Sequence, residues 1–367
     1  MKICILSSQY FGWGKYGGFG SMTRRLAEAL AARGASVHVV VPRRSGQKPL
    51  EHLGGVKIHG FGSTNVLQAW KILKNLPVDI FHSQEPSLLT LLAQWARPGA
   101  VHLVTSRDPR NLRDWWVEFR DATAFRRLIT PLNYLTESGP LVGLAVHRAK
   151  AVYAPAHCVR QRTKRTYWLR RSPGFLPNLV KVPKNLPDKP ETPTVTFFGR
   201  LDLRKHPEKF LDQAKQFPQV QFQIIGQAEN KERDRRLRSK YADLPNVEWH
   251  GFVSYFQEWP RISQILERSW ALVNTSSREG LPLTFQEAAA FGCAIISRLD
   301  PDGFASKFGI YVPDQDYGQA LRKLLEEPQQ ILARGLQGRE YILAHYEHDH
   351  VTDVHLNIYA DFLSSCP

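Results

Sequence analysis

An alternation that runs twice constrains this chain more than anything else in it. Short apolar runs rich in β-branched residues occupy 2–8, 36–42, 56–62, 79–83, 101–107 and 151–156, with amphipathic stretches between them. The stretch 22–33 sets Leu26, Ala29 and Leu30 on one face with Arg24, Arg25, Glu28 and Arg33 around it, the period of a half-buried helix; 88–96 is another. Apolar runs of strand length between helical patterns predict a parallel sheet covered by helices on both faces. The segment 177–193 holds prolines at 177, 183, 187, 190 and 193. It cannot carry a long helix and reads as a linker. The alternation then restarts at 194–200, 220–226, 247–252, 271–276, 294–298 and 309–312, and 348–363 reads as a last helix. Two α/β units of similar length follow, and 367 residues suit two cores better than one. In open parallel sheets ligands sit beyond the carboxyl ends of the strands, so strand-end motifs carry the functional reading.

Charge is divided unevenly between the halves. Residues 1–190 hold 29 Lys and Arg against 10 Asp and Glu, whereas 191–367 hold 20 against 24. A strongly basic first half points to a polyanionic partner, whether an anionic membrane, nucleic acid or a phosphorylated substrate; a soluble basic face is the plainer reading. No run approaches the roughly 18 apolar residues of a membrane span. The start, Met1-Lys2-Ile3-Cys4-Ile5-Leu6-Ser7, is interrupted by Gln9 and glycines and reads as a buried strand rather than a signal peptide. Cys4, Cys158, Cys293 and Cys366 lie far apart, so neither a disulfide framework nor a zinc knuckle is suggested. A cytoplasmic location is the default expectation.

The strongest motif follows the run 271–276. In Ser277-Arg278-Glu279-Gly280-Leu281-Pro282-Leu283-Thr284-Phe285-Gln286-Glu287, Glu279 falls in a strand-end loop and Pro282 suits the first turn of a helix. Glu287 then lies about one turn into that helix, whose N-terminal N–H groups and dipole suit a phosphate. One carboxylate is placed to accept hydrogen bonds from sugar hydroxyls and the other to reach a ribose. The element resembles the E-x7-E element of the GT-B glycosyltransferases, most closely family 4, the large retaining group. A second stretch, Phe198-Gly199-Arg200-Leu201-Asp202-Leu203-Arg204-Lys205, resembles the Gly-Arg–x4–Lys segment that opens the family's donor domain. Two cations there suit the diphosphate whose charge grows as a nucleotide-sugar is cleaved. Arg200 suits bidentate phosphate contacts and Lys205 acts as a point charge.

The resemblance implies two Rossmann-like domains facing a cleft: 1–185 for the acceptor, 186–345 for the donor, and a helix at 346–367 packing back on the first. It implies sugar transfer from a nucleotide-diphosphate sugar with retention of configuration, and no protein nucleophile. Arg200 and Lys205 would stabilise the leaving diphosphate, Glu279 orient the donor sugar and Glu287 bind the ribose. Gly199, Gly280, Leu281, Pro282 and Leu283 would line the donor site, with backbone near Gly226 and Val253 reading the base. Gly17-Gly18 resembles the family's Gly-Gly loop; Gly12, Gly14 and Gly17 match G-x-G-x-x-G only formally, because no acidic residue ends the second strand. Where the family usually has a histidine at a strand end, Leu103-Val104-Thr105-Ser106-Arg107 carries Arg107. His82, in Phe81-His82-Ser83-Gln84-Glu85, is a second acceptor-side candidate. Arg107 is open to three readings: an acidic acceptor's partner, a structural group, or a sign of lost activity.

Asp300-Pro301-Asp302 and Asp314-Gln315-Asp316 read as turns, so neither cofactor nor essential metal is expected. His345, His348, His350 and His355 read as a solvated helix face. Arginines at 110, 113, 120, 126 and 127 mix with Trp115, Trp116, Phe119 and Phe125, and a second basic run, 160–171, carries Tyr167 and Trp168. Such stretches suit an anionic membrane surface, placing the enzyme peripherally on its inner face with a lipid or lipid-linked glycan as acceptor. Burial in the core is the plainer reading, and nucleic acid the least favoured. An epimerase or hydrolase on the same fold, and a catalytically silent nucleotide-sugar-binding partner of another transferase, are the rival functions.

Overall fold

The computed structural model describes residues 1–10, 17–44, 46–120 and 124–365, with backbone alone at 117, 118 and 124–126. It divides into two compact units, Met1–Leu179 with Asp349–Pro367, and Val180–His348. In the first unit β1 (Lys2–Leu6), β2 (Ser36–Pro42), β3 (Leu50–Leu53), β4 (Val56–Phe61), β5 (Ile80–Ser83), β6 (Val101–Thr105), β7 (Ala151–Ala154) and β8 (Gly174–Phe175) form one sheet. Its order is β3-β4-β2-β1-β5-β6-β7-β8, parallel throughout except between β3 and β4. In the second unit β9 (Thr194–Phe198), β10 (Gln221–Ile225), β11 (Val247–Gly251), β12 (Ala271–Asn274), β13 (Ala294–Ser297) and β14 (Gly309–Tyr311) form an all-parallel sheet ordered β11-β10-β9-β12-β13-β14. Each apolar run expected to be a strand is one. β12 and β13 are buried along their whole length, as strands covered on both faces must be.

Two strands escaped the sequence reading. β3 is four residues long, with two of them exposed. It joins β4 through Gly54-Gly55, both at positive φ (57° and 77°), the left-handed pair that a tight hairpin turn needs. β8 has only two residues. The first helix also starts earlier than 22, running Gly18–Ala32, with its first turn closed by the Ser21 N–H donating to the Gly17 carbonyl (3.2 Å).

The units part at 179/180 rather than at the expected 185/186. Val180 already belongs to the second unit, since its N–H donates to the Tyr346 carbonyl (2.9 Å). The proline-rich stretch beyond it lies along that unit. There the Lys189 ammonium donates to the carbonyls of Leu266 (3.2 Å), Glu267 (3.1 Å) and Phe291 (2.9 Å). Two of these end the helix Trp259–Arg268, so a cation meets the negative pole of that helix. The last helix, His348–Ser364, has its residues from Asp349 onward in the first unit, where Tyr359 and His355 are buried. Burial of His355, whose Nδ1 lies 2.9 Å from the Val351 carbonyl, corrects the expectation of a fully solvated histidine face.

Candidate active site

In the second unit the strand order reverses direction between β9 and β12. In an open parallel sheet such a reversal, at the carboxyl ends of the strands, is the expected place for a ligand. Both glycosyltransferase-like motifs start there. After β9 the chain passes Gly199 and Arg200 into the 3-10 turn Leu203–Lys205; after β12 it runs through Thr275 to Glu279 into the helix Leu283–Ala290. Three hydrogen bonds tie the two loops together. Thr275 Oγ1 donates to the carbonyls of Lys205 (2.6 Å) and His206 (2.9 Å), and the Ser277 N–H donates to the Arg204 carbonyl (3.0 Å). This clamp sets the Lys205 ammonium against Glu279 Oε1 in an ion pair. Both side chains remain partly exposed (24% and 18%), so an incoming anion can compete for the lysine.

Arg200 stands on the same edge but takes other partners, Asp202 (3.0 Å) and Glu229 (3.8 Å), and stays half-exposed. Leu281 and Pro282 are buried, Gly280 and Leu283 half-buried. Pro282 precedes the helix rather than opening it, and it offers no side-chain acceptor to the first-turn N–H groups. Glu287 is buried on that helix (2% exposed). Gly226, directly after β10, has φ +142°, and a Cβ there would lie 1.8 Å from the Gly199 carbonyl oxygen. Only glycine lets the β9 and β10 ends approach this closely. The β11 exit leads through Gly251 to Val253, also buried. Three of the four aspartates of the D-x-D strings serve local structure. Asp300 Oδ1 accepts from the Ala305 and Ser306 N–H groups (2.8 and 3.1 Å), Asp314 Oδ1 from the Asp316 N–H (3.2 Å), and Asp316 Oδ1 caps the next helix through Gln319 (2.8 Å).

In the first unit the order reverses between β1 and β5. His82, on β5, is fully buried. Its Nδ1 meets the Tyr359 hydroxyl at 2.6 Å and its Nε2 the Thr105 hydroxyl at 2.8 Å. Burial, with His355 and Arg107 nearby, holds the ring well below its ordinary range, so it stays neutral at physiological pH. Arg107, beyond β6, donates to the side-chain oxygens of Asn178 and Gln84, and burial pulls it down to about 10, still charged near neutrality. Its N–H and that of Asp108 donate to Glu85 Oε2 (2.8 and 3.3 Å). Burial pushes the Glu85 carboxyl up to about 8 despite these bonds. Gly17 precedes the helix Gly18–Ala32 and Gly18 opens it; the expected Gly-Gly loop is thus a helix start. Gly12 and Gly14 lie outside the described residues.

The family described as "Glycosyl transferases group 1" matches residues 181–329, and "Glycosyltransferase Family 4" matches 16–180. The first takes in both strands of the second unit's reversal, and the second takes in β5 but not β1 of the first unit's. The chain is a GT-B glycosyltransferase of group 1. It is 28% identical over 114 residues to a lipopolysaccharide 1,6-galactosyltransferase of Escherichia coli (strain K12), a match covering 30% of this chain and 31% of that relative. Its fold is similar to sucrose-phosphate synthase from Thermosynechococcus elongatus (TM-score 0.73, 17% identity, 100% of both chains). It is also similar to the Anabaena protein HepE in complex with UDP (TM-score 0.71, 16% identity, 100% of both chains).

Several groups around this glycosyltransferase's candidate site were not singled out by the sequence. Thr275 and Ser277 hold the two loops together, yet they read as ordinary strand-end polar residues. Arg298 follows β13, beside β12, and its charge adds, after burial and Lys209, to the lowering of His206; its strand-end position was the available signal. Glu85 lay inside a quoted motif, but only its burial beside the Arg107 backbone shows its unusual proton affinity.

Proposed function

We propose that the enzyme moves a hexose from a nucleotide-diphosphate sugar, with retention of configuration, to a membrane lipid or lipid-linked glycan. The observation that carries the donor half is the Lys205–Glu279 pair clamped at the β9/β12 reversal, beside Arg200 and the start of the Leu283–Ala290 helix. A diphosphate arriving there would take Lys205 as its counter-charge and release Glu279 to accept from the sugar hydroxyls. Arg200 and the helix N–H groups would add charge stabilisation as the leaving group develops. Glu287, buried beneath, would receive the ribose hydroxyls. Base choice would rest on backbone near Gly226 and Val253. The UDP held by a protein of similar fold makes uridine the first base to try.

For the acceptor half, support comes from the surface of the first unit. Along the helix Ala124–Glu137, Leu128, Ile129, Leu132 and Leu135 share one face and are exposed, Leu128 to 80%. Leu112 and Trp116 before it and Leu141 and Leu144 after it are exposed as well. Trp168, 83% exposed, follows the basic helix His157–Thr166 and precedes Arg170 and Arg171. Exposed apolar side chains among arginines and lysines suit the interface of an anionic bilayer. No helix among the described residues is long and apolar enough to cross a membrane. Peripheral attachment at the cytoplasmic face, through this basic and apolar surface, forms part of the proposal.

The test is thermal unfolding against nucleoside diphosphates and nucleotide-sugars without added metal, followed by product analysis. A ligand at a hundred times its dissociation constant stabilises by about 2.7 kcal/mol. One base family should shift the curve, Glu287→Ala should abolish the shift, and the product should keep the donor's anomeric configuration by NMR. A Glu287→Ala protein that responds fully would remove the donor site from this place. An inverted product would remove the retaining mechanism.

A further inference from the structure

The first unit carries a basic concavity that the chemistry proposed above does not use. It is a cavity of about 520 Å3 between the β4-β2 edge of the sheet and the helix Val66–Asn75. His38 on β2, His52 on β3, Lys57 and His59 on β4 and Lys71 on the helix line it, and no lining residue is acidic. Neither lysine has an ion-pair partner among the described residues. The remaining wall is largely apolar, through residues such as Leu50 and Ile72.

His38 Nδ1 and His59 Nε2 lie 2.9 Å apart, with the rings stacked at 5.2 Å. One N–H must serve that hydrogen bond, so the accepting ring is neutral. Burial lowers both rings. Lys57 lowers them further, and His52 and His38 add to the effect on His59, which is held at about 4. Around this neutral pair, Lys57 on β4 and Lys71 on the helix bring two positive charges to the concavity, and no lining residue supplies a counter-charge. A concave site of one sign with an apolar wall concentrates ions of the other sign, and an anion there would give both lysines a charge-assisted partner. The volume exceeds what a bare phosphate fills, and the apolar wall offers contact to whatever bears it.

We propose that this cavity binds a phosphate-class anion carried on an organic body, with Lys57 and Lys71 as the charged donors and His52 and His59 as ring donors. The site is independent of the nucleotide-sugar reading and would stand if that reading failed.

Binding is measured by calorimetry and by histidine ring resonances on the full chain, with inorganic phosphate, a hexose phosphate and phosphatidylglycerol vesicles as separate probes. The proposal expects saturable binding that the double variant Lys57→Glu/Lys71→Glu weakens about tenfold or more, with Lys57→Arg/Lys71→Arg retaining it. Both lysines are exposed, and an unchanged circular dichroism spectrum and melting curve certify the fold. Binding of the soluble phosphates assigns a free ligand; binding confined to vesicles and lost in the glutamate variant assigns a lipid headgroup. Either result supports the site. Failure of all three probes to bind, or binding that the glutamate variant leaves unchanged, overturns it.

Discussion

Glu85→Gln is expected to stabilise the first unit, and by an amount that depends on pH. The carboxyl sits beyond β5 with its Oε2 taking the N–H groups of Arg107 and Asp108, and burial raises it from an ordinary 4.5 to about 8. The unfolded chain releases this proton near pH 4.5. Between pH 4.5 and 8 the native state therefore holds more protons than the unfolded state, and stability falls as pH rises through that window. At about 1.4 kcal/mol per pH unit, the loss reaches roughly 3 kcal/mol at pH 7 and about 5 kcal/mol above pH 8. Residual solvent contact of Glu85 makes these upper limits. Glutamine keeps a carbonyl oxygen for both N–H donors and cannot ionise. The variant should match the parent near pH 4.5 and exceed it by up to about 3 kcal/mol at pH 7. Hydrogen exchange of β5 and β6 amides across pH 4.5–8 reads this within one unit, where a global melt of two units would blur it. A variant less stable than the parent at pH 7 would refute the reasoning, because the carboxylate would then be ionised and stabilised by Arg107.

Other consequences follow from the same geometry. Gly226→Ala places a methyl 1.8 Å from the Gly199 carbonyl, so denaturant unfolding should show the second unit losing more than about 3 kcal/mol. Wild-type stability in this variant would contradict the close approach of β9 and β10. Lys205→Met removes the cation paired with Glu279, and turnover in a radiolabelled-sugar assay should fall about 100-fold or more, with the fold intact by circular dichroism. Tyr359→Phe deprives the buried His82 Nδ1 of its partner; amide protection along the last helix should drop by about 1–3 kcal/mol. His355 is held at about 4 against an ordinary 6.5, a depressed value, so its contribution is intact above pH 6.5 and lost as pH falls toward 4. Read as the difference between the parent and His355→Gln, which cancels the opposite contribution of Glu85, first-unit stability should fall by up to roughly 3 kcal/mol over that interval.

The twofold alternation of apolar runs and helical patterns was enough to establish two parallel α/β units, because a strand buried on both faces must be apolar along its whole length. The Glu279–Glu287 and Arg200–Lys205 spacings were legible too, since each lies within one strand-to-helix connection where local geometry follows from the chain itself. Other features depend on residues distant in sequence. Tertiary structure alone set the Lys205–Glu279 contact, which Thr275 makes by reaching across to the turn after β9. The division at 179/180 likewise required Val180 to find Tyr346. The protonation behaviour of Glu85, His82 and His355 was decided by burial, which no residue carries in its own identity. Periodicity is a property of neighbours along the chain and survives in one dimension. Desolvation and long-range pairing are properties of neighbours in space, and they exist only once the chain has folded.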